Sequence, residues 1–247
     1  AYRNIFDKEK GWFRPRNANG SWEPWPENAL TKEWYGCIES NAYQQGWFVP
    51  HDVPGMVELM GGKEKVVADL TNLFDKTPSN LLWNEYYNHA NEPVHFVPFL
   101  FNQLSVPWDT QKWTRHICEK AYANKVEGIV GNEDVGQMSA WYLFSVMGFY
   151  PVCPGTDQYV LGAPYLPYVK LKLPDGKTLE IKAPGVSDKK RYVQSLKLNG
   201  VSYDKMYITH ADILKGGVLE FKMASSPNKR RGLSAEDKPY SLTNGIN

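Results

Sequence analysis

Three well-separated stretches of this chain set acids among amide and aromatic side chains. The first is Gly36-Cys37-Ile38-Glu39-Ser40-Asn41-Ala42-Tyr43-Gln44, continuing to Trp47-Phe48-Val49-Pro50-His51-Asp52. The second is His89-Ala90-Asn91-Glu92-Pro93-Val94-His95, and the third is Gly131-Asn132-Glu133-Asp134-Val135-Gly136-Gln137. A carboxylate resists burial unless it is paired, metal-bound or put to use. On helical spacing Glu39 falls among Tyr35, Ile38, Ala42 and Tyr43, where lost hydration would raise its pKa. A proton held near neutral pH is what a general acid needs. An exposed helix glutamate fits the same spacing. Pro93 suits a first helical position, which puts Asn91 or Glu92 at the cap. Glu133 and Asp134 are consecutive, about 100° apart on a helix, so at most one of them can act as a base in a given cavity. N-terminal capping is the plainer reading of that pair, because acids favour the first helical turn.

Carboxylates, Asn and Gln side chains and cap carbonyls also offer oxygen ligands to a hard cation such as calcium, although no Asp-x-Asp-x-Asp loop is present. His51, His89, His95 and His116 form no HExxH arrangement, which argues against zinc. Ser40 and Ser139 lie in no GxSxG context.

The elements that must position these residues are helical at first. Thr31 to about Trp47 reads as a helix stopped by Pro50. Asp52-Val53-Pro54 opens a second, ended by Gly61-Gly62. In Lys63 to Asp75, Val66, Val67, Leu70, Leu73 and Phe74 form an amphipathic stripe. Pro93 begins a helix through Leu104, and Asp109 or Thr110 caps one through Tyr122. The third acid stretch runs into a segment apolar on nearly every side, Met138 to Met147, as a buried helix would be. Gly148 can end it and Pro151 forbids resumption. Residues 1 to 30, rich in Asn, Gly, Pro and Trp, read as a long loop.

After Pro154 the period changes. Val169, Leu171 and Leu173 alternate with lysines, Pro174-Asp175-Gly176 turns the chain, and Leu179 and Ile181 alternate in answer. Leu196 and Leu198 lead into Asn199-Gly200, a strong hairpin signal, with Val201 and Tyr203 across it. Leu219, Phe221 and Met223 make another strand. The expectation is an α+β fold: a helical region over residues 1–154, an antiparallel β region over 155–232 and a loose polar tail over 233–247.

With 28 basic and 27 acidic residues the charges nearly balance, and no basic stripe points to nucleic acid. No apolar run reaches membrane-spanning length. Three scattered cysteines fit free thiols at least as well as a disulfide. The informative bias is aromatic: nine Trp, fifteen Tyr and ten Phe, whose faces suit sugar rings as well as one another.

The three acid stretches, with Met138-Ser139-Ala140-Trp141 and Gly148-Phe149-Tyr150-Pro151, resemble glycoside hydrolase family 92. The resemblance implies a calcium-dependent, inverting exo-α-mannosidase acting on N-glycan mannose outside the cytoplasm, in the periplasm or medium. It implies that the helical region is a portion of an (α/α)6 barrel and that the chain is partnered by an N-terminal portion of the same enzyme. Carried over residue by residue, Glu39 matches the general acid, Asp134 the base and Glu92 an acid of the sugar site. Trp47, His51, Asp52, Asn91, Asn132 and Glu133 match substrate-binding positions. Asn132 stands where some members carry a second Asp. Calcium ligands are expected at Asn41, Ala42 and His95, some through backbone carbonyls. A non-catalytic carbohydrate-binding module keeping the same fold is the reading from another class.

Overall fold

A computed structural model describes residues 1–244. The first half is held by helices and irregular loops around one apolar core, in which Trp47, Tyr87, Phe99, Phe101 and Trp141 are the large, fully buried members. Helices α1 (Ala42–Gln45), α2 (Val53–Leu59), α3 (Lys63–Asp75), α4 (Pro107–Lys120) and α5 (Gln137–Met147) are joined by 3₁₀ turns at Glu92–Val94 and Val97–Asn102. Strands β1 (Phe6–Asp7) and β2 (Trp12–Phe13) form a small hairpin in the opening loop.

Several elements match the spacing. In α3 the stripe Val66, Leu70, Leu73 and Phe74 is buried. Asp52 caps α2, its side chain accepting from the Gly55 amide, with Pro54 in the first turn. Gly148, at φ 93°, closes α5 in the left-handed region, where a side chain would be strained.

Two expected helices are not formed as such. Residues 31–47 hold only the single turn of α1, because Trp34, Gly36 and Glu39 all take positive φ. Their pattern is overridden by tertiary bonds: Gln44 Nε2 donates to the carbonyls of Asn84 and Tyr86, and Asn41 Nδ2 to that of Glu85. The helix expected from Pro93 to Leu104 is two 3₁₀ pieces. Pro98 has no N–H to return to an earlier carbonyl, so the ladder breaks there and the proline sits in the first turn of the second piece. α4 begins at Pro107, two residues before its expected caps. These helices do not by themselves define a portion of a double ring; α2 packs on α3 and α4 on α5.

The second half is sheet. Strands β5 (Tyr168–Lys172), β6 (Thr178–Lys182), β7 (Tyr192–Leu198), β8 (Val201–Ser202) and β10 (Gly217–Ala224) lie in the order β5-β6-β10-β7-β8. Val169 faces Ile181 and Leu171 faces Leu179 in the expected hairpin, and Leu198 faces Val201 across Asn199-Gly200. The sheet is mixed rather than antiparallel, since β10 runs parallel to β6. Helix α6 (His210–Lys215) is the connection that turns the chain into β10, and its Thr209–Asp212 capping box fixes its start.

Strands β3 (Phe149–Tyr150), β4 (Gln158–Leu161) and β9 (Tyr207–Thr209) form a third sheet that spans the change of pattern at residue 155. The tail is not loose through residue 244. Gln103 Nε2 donates to the Pro239 and Tyr240 carbonyls, the Leu242 amide to that of His51, and Ser241 and Thr243 to the Asp52 carboxylate. The three cysteines are free.

Candidate active site: an acid cluster on one face

Two acids far away in the chain, Asp134 and Glu39, lie near enough to Glu92 to act on its carboxyl. Glu92 opens the first 3₁₀ turn and is half-buried. Its carboxyl is held above the ordinary value of 4.5, first by burial and then by the neighbouring Asp134 carboxyl and the charge of Glu39. Glu92 Oε1 is buried with no donor. An oxygen buried without a donor disfavours the charged carboxylate, which acts in the same direction.

Backbone contacts bring the three segments together. Asn91 Nδ2 donates to the Glu39 carbonyl at 2.8 Å, tying the first stretch to the second. Gly131 lies so close to Ala90 that an added Cβ would meet the Ala90 carbonyl oxygen at 2.7 Å, which packs the third stretch on the second. Asp134, Val135 and Gly136 take φ of 42°, 57° and 84° in succession. Such a run places the acids in a loop ahead of α5 rather than in its first turn. For a β-branched valine that conformation is strained. Glu39 and Asp134 are both exposed; neither is dried by aromatic neighbours, and Glu39 sits in a turn at φ 54°, not in mid-helix.

Behind the acids is a buried polar chain. His95 Nε2 bonds the His89 carbonyl at 3.0 Å, and its Nδ1 meets Gln137 Nε2 at 3.2 Å. His89 bonds the Tyr87 and Tyr122 hydroxyls through its two nitrogens, both at 2.8 Å. Burial lowers both histidines, His95 to about 4 and His89 well below its ordinary 6.5, with the neighbouring His95 adding to the second. The aromatic run of the sequence hid this chain: Tyr87, Tyr122 and Gln137 carry no spacing signal of their own.

The glycosyl hydrolase family 92 catalytic domain model matches residues 1–225. The chain belongs to glycosyl hydrolase family 92. A family 92 α-mannosidase of Bacteroides thetaiotaomicron is 38% identical, with a TM-score of 0.90 over 98% of this chain and 32% of that one. A second protein of that organism, described as an inverting family 92 mannosidase, is 33% identical at a TM-score of 0.88 over 98% and 35% of the two chains. A relative from Arthroderma benhamiae, described as an uncharacterized secreted glycosidase, is 31% identical over 96% of this chain and 31% of that protein. The chain thus spans about a third of the length of these relatives.

Within this family 92 chain the other expected site residues fall into distinct surroundings. Asn91 is buried as the link to Glu39. Asn132 is exposed in the acid loop. Glu133 has both oxygens on Ser139. Trp47, expected to touch sugar, is fully buried edge-on to Trp12 and offers no face. Exposed rings of the helical half include Phe48 (58%), Trp34 (62%) and Trp83 (56%), the two tryptophans on the loops stitched together by Asn41 and Gln44. Asp52 is buried under Tyr2, Ser241 and Thr243, and exposed His51 stands edge-on to Tyr2.

The expected calcium ligands do not fit a cation. Asn41 Oδ1 accepts from the Gln44 amide and its Nδ2 donates to Glu85. The Ala42 carbonyl accepts from Trp12 Nε1 and the Gly46 amide. Both ring nitrogens of His95 are engaged. No step below passes through a metal.

Proposed function

We propose that this chain carries the acid–base machinery of an α-mannosidase that releases terminal α-linked mannose, α-1,2-linked in N-glycan-type substrates, by single-displacement inversion. One observation carries the reading: carboxyls from three remote segments lie near enough that Asp134 and Glu39 both raise Glu92. Single displacement needs a proton donor at the leaving oxygen and a base for water on the opposite side of the ring, with the two carboxyls roughly 6.5–9.5 Å apart. Glu39 gives its proton to the glycosidic oxygen. Asp134 takes a proton from the water that attacks the anomeric carbon. Glu92, the neighbouring acid, orients the Asp134 carboxylate toward that water. Trp34 and Trp83 offer the sugar flat apolar faces. The descriptions of the Bacteroides relatives as α-mannosidase and inverting mannosidase support the substrate and the stereochemistry, and the Arthroderma relative's description as secreted supports an extracytoplasmic setting.

The test compares two substrates by proton NMR. Dinitrophenyl α-mannoside has a leaving group that needs no acid; α-1,2-mannobiose has one that does. Glu39→Gln is expected to lose the mannobioside and keep the dinitrophenyl mannoside, and Asp134→Asn to lose both, with β-mannose the first product. Release of α-mannose overturns inversion. Binding of sugar with no hydrolysis of either substrate overturns the enzyme reading in favour of a binding module.

A further inference from the structure

The two residues that hold the acid pair from behind are His95 and Gln137. The His95 amide donates to the Glu92 carbonyl at 3.0 Å, and the Gln137 amide donates to the Asp134 carbonyl at 3.1 Å. The two side chains then bond each other, Gln137 Nε2 to His95 Nδ1. Each acid's own carbonyl is therefore one bond from a residue that grips its counterpart. The link is anchored on both sides. Gln137 Nε2 also donates to the Tyr150 hydroxyl at 2.9 Å, and Trp141 Nε1 donates to the His95 carbonyl at 2.7 Å.

The pattern fixes a proton. The His89 carbonyl can only accept, so His95 Nε2 carries the hydrogen. The Gln137 Nε2 group can only donate, so His95 Nδ1 is bare. His95 is thus a neutral imidazole of a single tautomer. The other tautomer, and the imidazolium, would each set a donor against the Gln137 amide hydrogens in a site without water to absorb the conflict. His95 is 1% exposed, so no solvent partner is at hand.

We propose that His95 and Gln137 are positioning residues that hold the Glu92 turn against the Asp134 loop, with His95 acting as the Nε2–H tautomer. This rests on the reading of Glu92 and Asp134 as site acids, and it explains why both residues lie inside the acid stretches without reaching the open face. It also accounts for the strained run at Asp134 and Val135. Strain of that kind persists only where neighbouring structure over-determines it, and the Gln137 grip on the Asp134 carbonyl supplies that hold.

The experiment uses the whole chain and three readouts. Nitrogen-15 spectra at pH 6 are expected to give a protonated Nε2 and a bare Nδ1 for His95; a protonated Nδ1 overturns the proposal. Amide exchange is then compared between wild type, Gln137→Leu and His95→Asn. Gln137→Leu is expected to speed exchange of the His95 and Gln137 amides together by about tenfold or more, while Leu70 in α3 keeps its rate. His95→Asn, whose Oδ1 stands where Nδ1 does, is expected to restore slow exchange at Gln137. A uniform rise across the chain, or no rescue by asparagine, reduces the pair to ordinary core residues and overturns the proposal. These measurements need no hydrolysis, so they stand if the mannosidase reading fails. Where hydrolysis is measured, Gln137→Leu is expected to lower kcat with KM unchanged.

Discussion

Both carboxylate oxygens of Glu133 are taken by Ser139: Oε1 accepts from its amide at 2.9 Å and Oε2 from its hydroxyl at 3.0 Å. Glu133 therefore closes the first turn of α5 from outside, where an acid also complements the helix dipole. Gly136, the residue ahead of that helix, has no side chain to do so. Of the adjacent pair, one acid caps and the other faces Glu92. Glu133→Ala is expected to cost about 1 kcal/mol of stability, in the range of a lost cap, and to leave mannose affinity unchanged. A tenfold loss of affinity at unaltered melting temperature would place Glu133 on the sugar instead.

Glu92 makes the stability of the chain fall with rising pH. Its folded-state carboxyl is raised above 4.5 by burial, then by Asp134 and Glu39. The folded state thus keeps a proton that the unfolded chain has released. The stability linked to it is present below 4.5 and is lost as pH rises through the folded value. Glu92→Gln removes that loss. Because the group is only half-buried, solvent screening limits the gain at pH 7 to under about 1 kcal/mol, or up to roughly 3 °C in Tm. The melting difference between variant and wild type is expected to widen from pH 4 to pH 7; a constant difference contradicts the assignment.

Much of this was legible in the sequence wherever a local rule and the packing agreed. The α3 stripe, the Asp52 cap, the Asn199-Gly200 hairpin and the Gly148 stop each rest on interactions within a few residues. The segment around Glu39 was not legible in that way. Its apolar spacing fits a helix, but the amides of Asn41 and Gln44 find better partners 40 or more residues away in sequence. The parallel pairing of β10 with β6 was hidden for a related reason, because alternation gives a strand its faces and not its neighbour. The candidate acids stand out by motif, whereas their support does not. Glu92 and Asp134 stand in recognisable stretches, but the roles of Gln137 and His95 depend on a contact between residues 42 positions apart.

Acid should act through the buried histidines. Burial lowers His95 to about 4, and it lowers His89 well below the ordinary 6.5. Each ring is neutral when folded and takes a proton on unfolding, so its contribution is present above 6.5 and is lost as pH falls below that value. Each can steepen the decline by up to about 1.4 kcal/mol per pH unit. Denaturant midpoints between pH 7 and 5 are expected to drop accordingly, and His95→Asn is expected to flatten the slope. An unchanged slope would mean that the ring is already charged in the folded state.

Calcium should have little hold at Asn41, Ala42 and His95 as they are bonded here. The side-chain atoms of Asn41, the Ala42 carbonyl and the nitrogens of His95 are already bonded within the protein. A ligand that binds only the folded state raises stability in proportion to the logarithm of its saturation. Millimolar calcium against a chelator is therefore expected to move Tm by less than about 1 °C if these positions alone could hold it, because their polar atoms already have partners in the protein. A shift of several degrees would require these bonds to rearrange around the ion.

Asp52 holds together parts of the chain that are farthest apart in sequence. Its carboxylate caps α2 and accepts from Tyr2, Ser241 and Thr243, so residues 2 and 243 meet at one buried acid. Burial alone would raise its carboxyl, but the bonds from Thr243, Tyr2 and Ser241 outweigh that and hold it at about 2. The group is therefore charged when folded, and its contribution is present above the ordinary 3.8 and is lost as pH falls through about 2. Asp52→Ala strands several donors at once and uncaps a helix, at a cost of about 2–4 kcal/mol. The effect should also be local, since freeing Ser241 and Thr243 releases the tail that lies over His51. Limited proteolysis near Tyr240 is expected to accelerate in Asp52→Ala, with cleavage elsewhere less affected. If cleavage rose equally throughout, Asp52 would be a stabiliser of the whole core and not the clasp that joins its two ends.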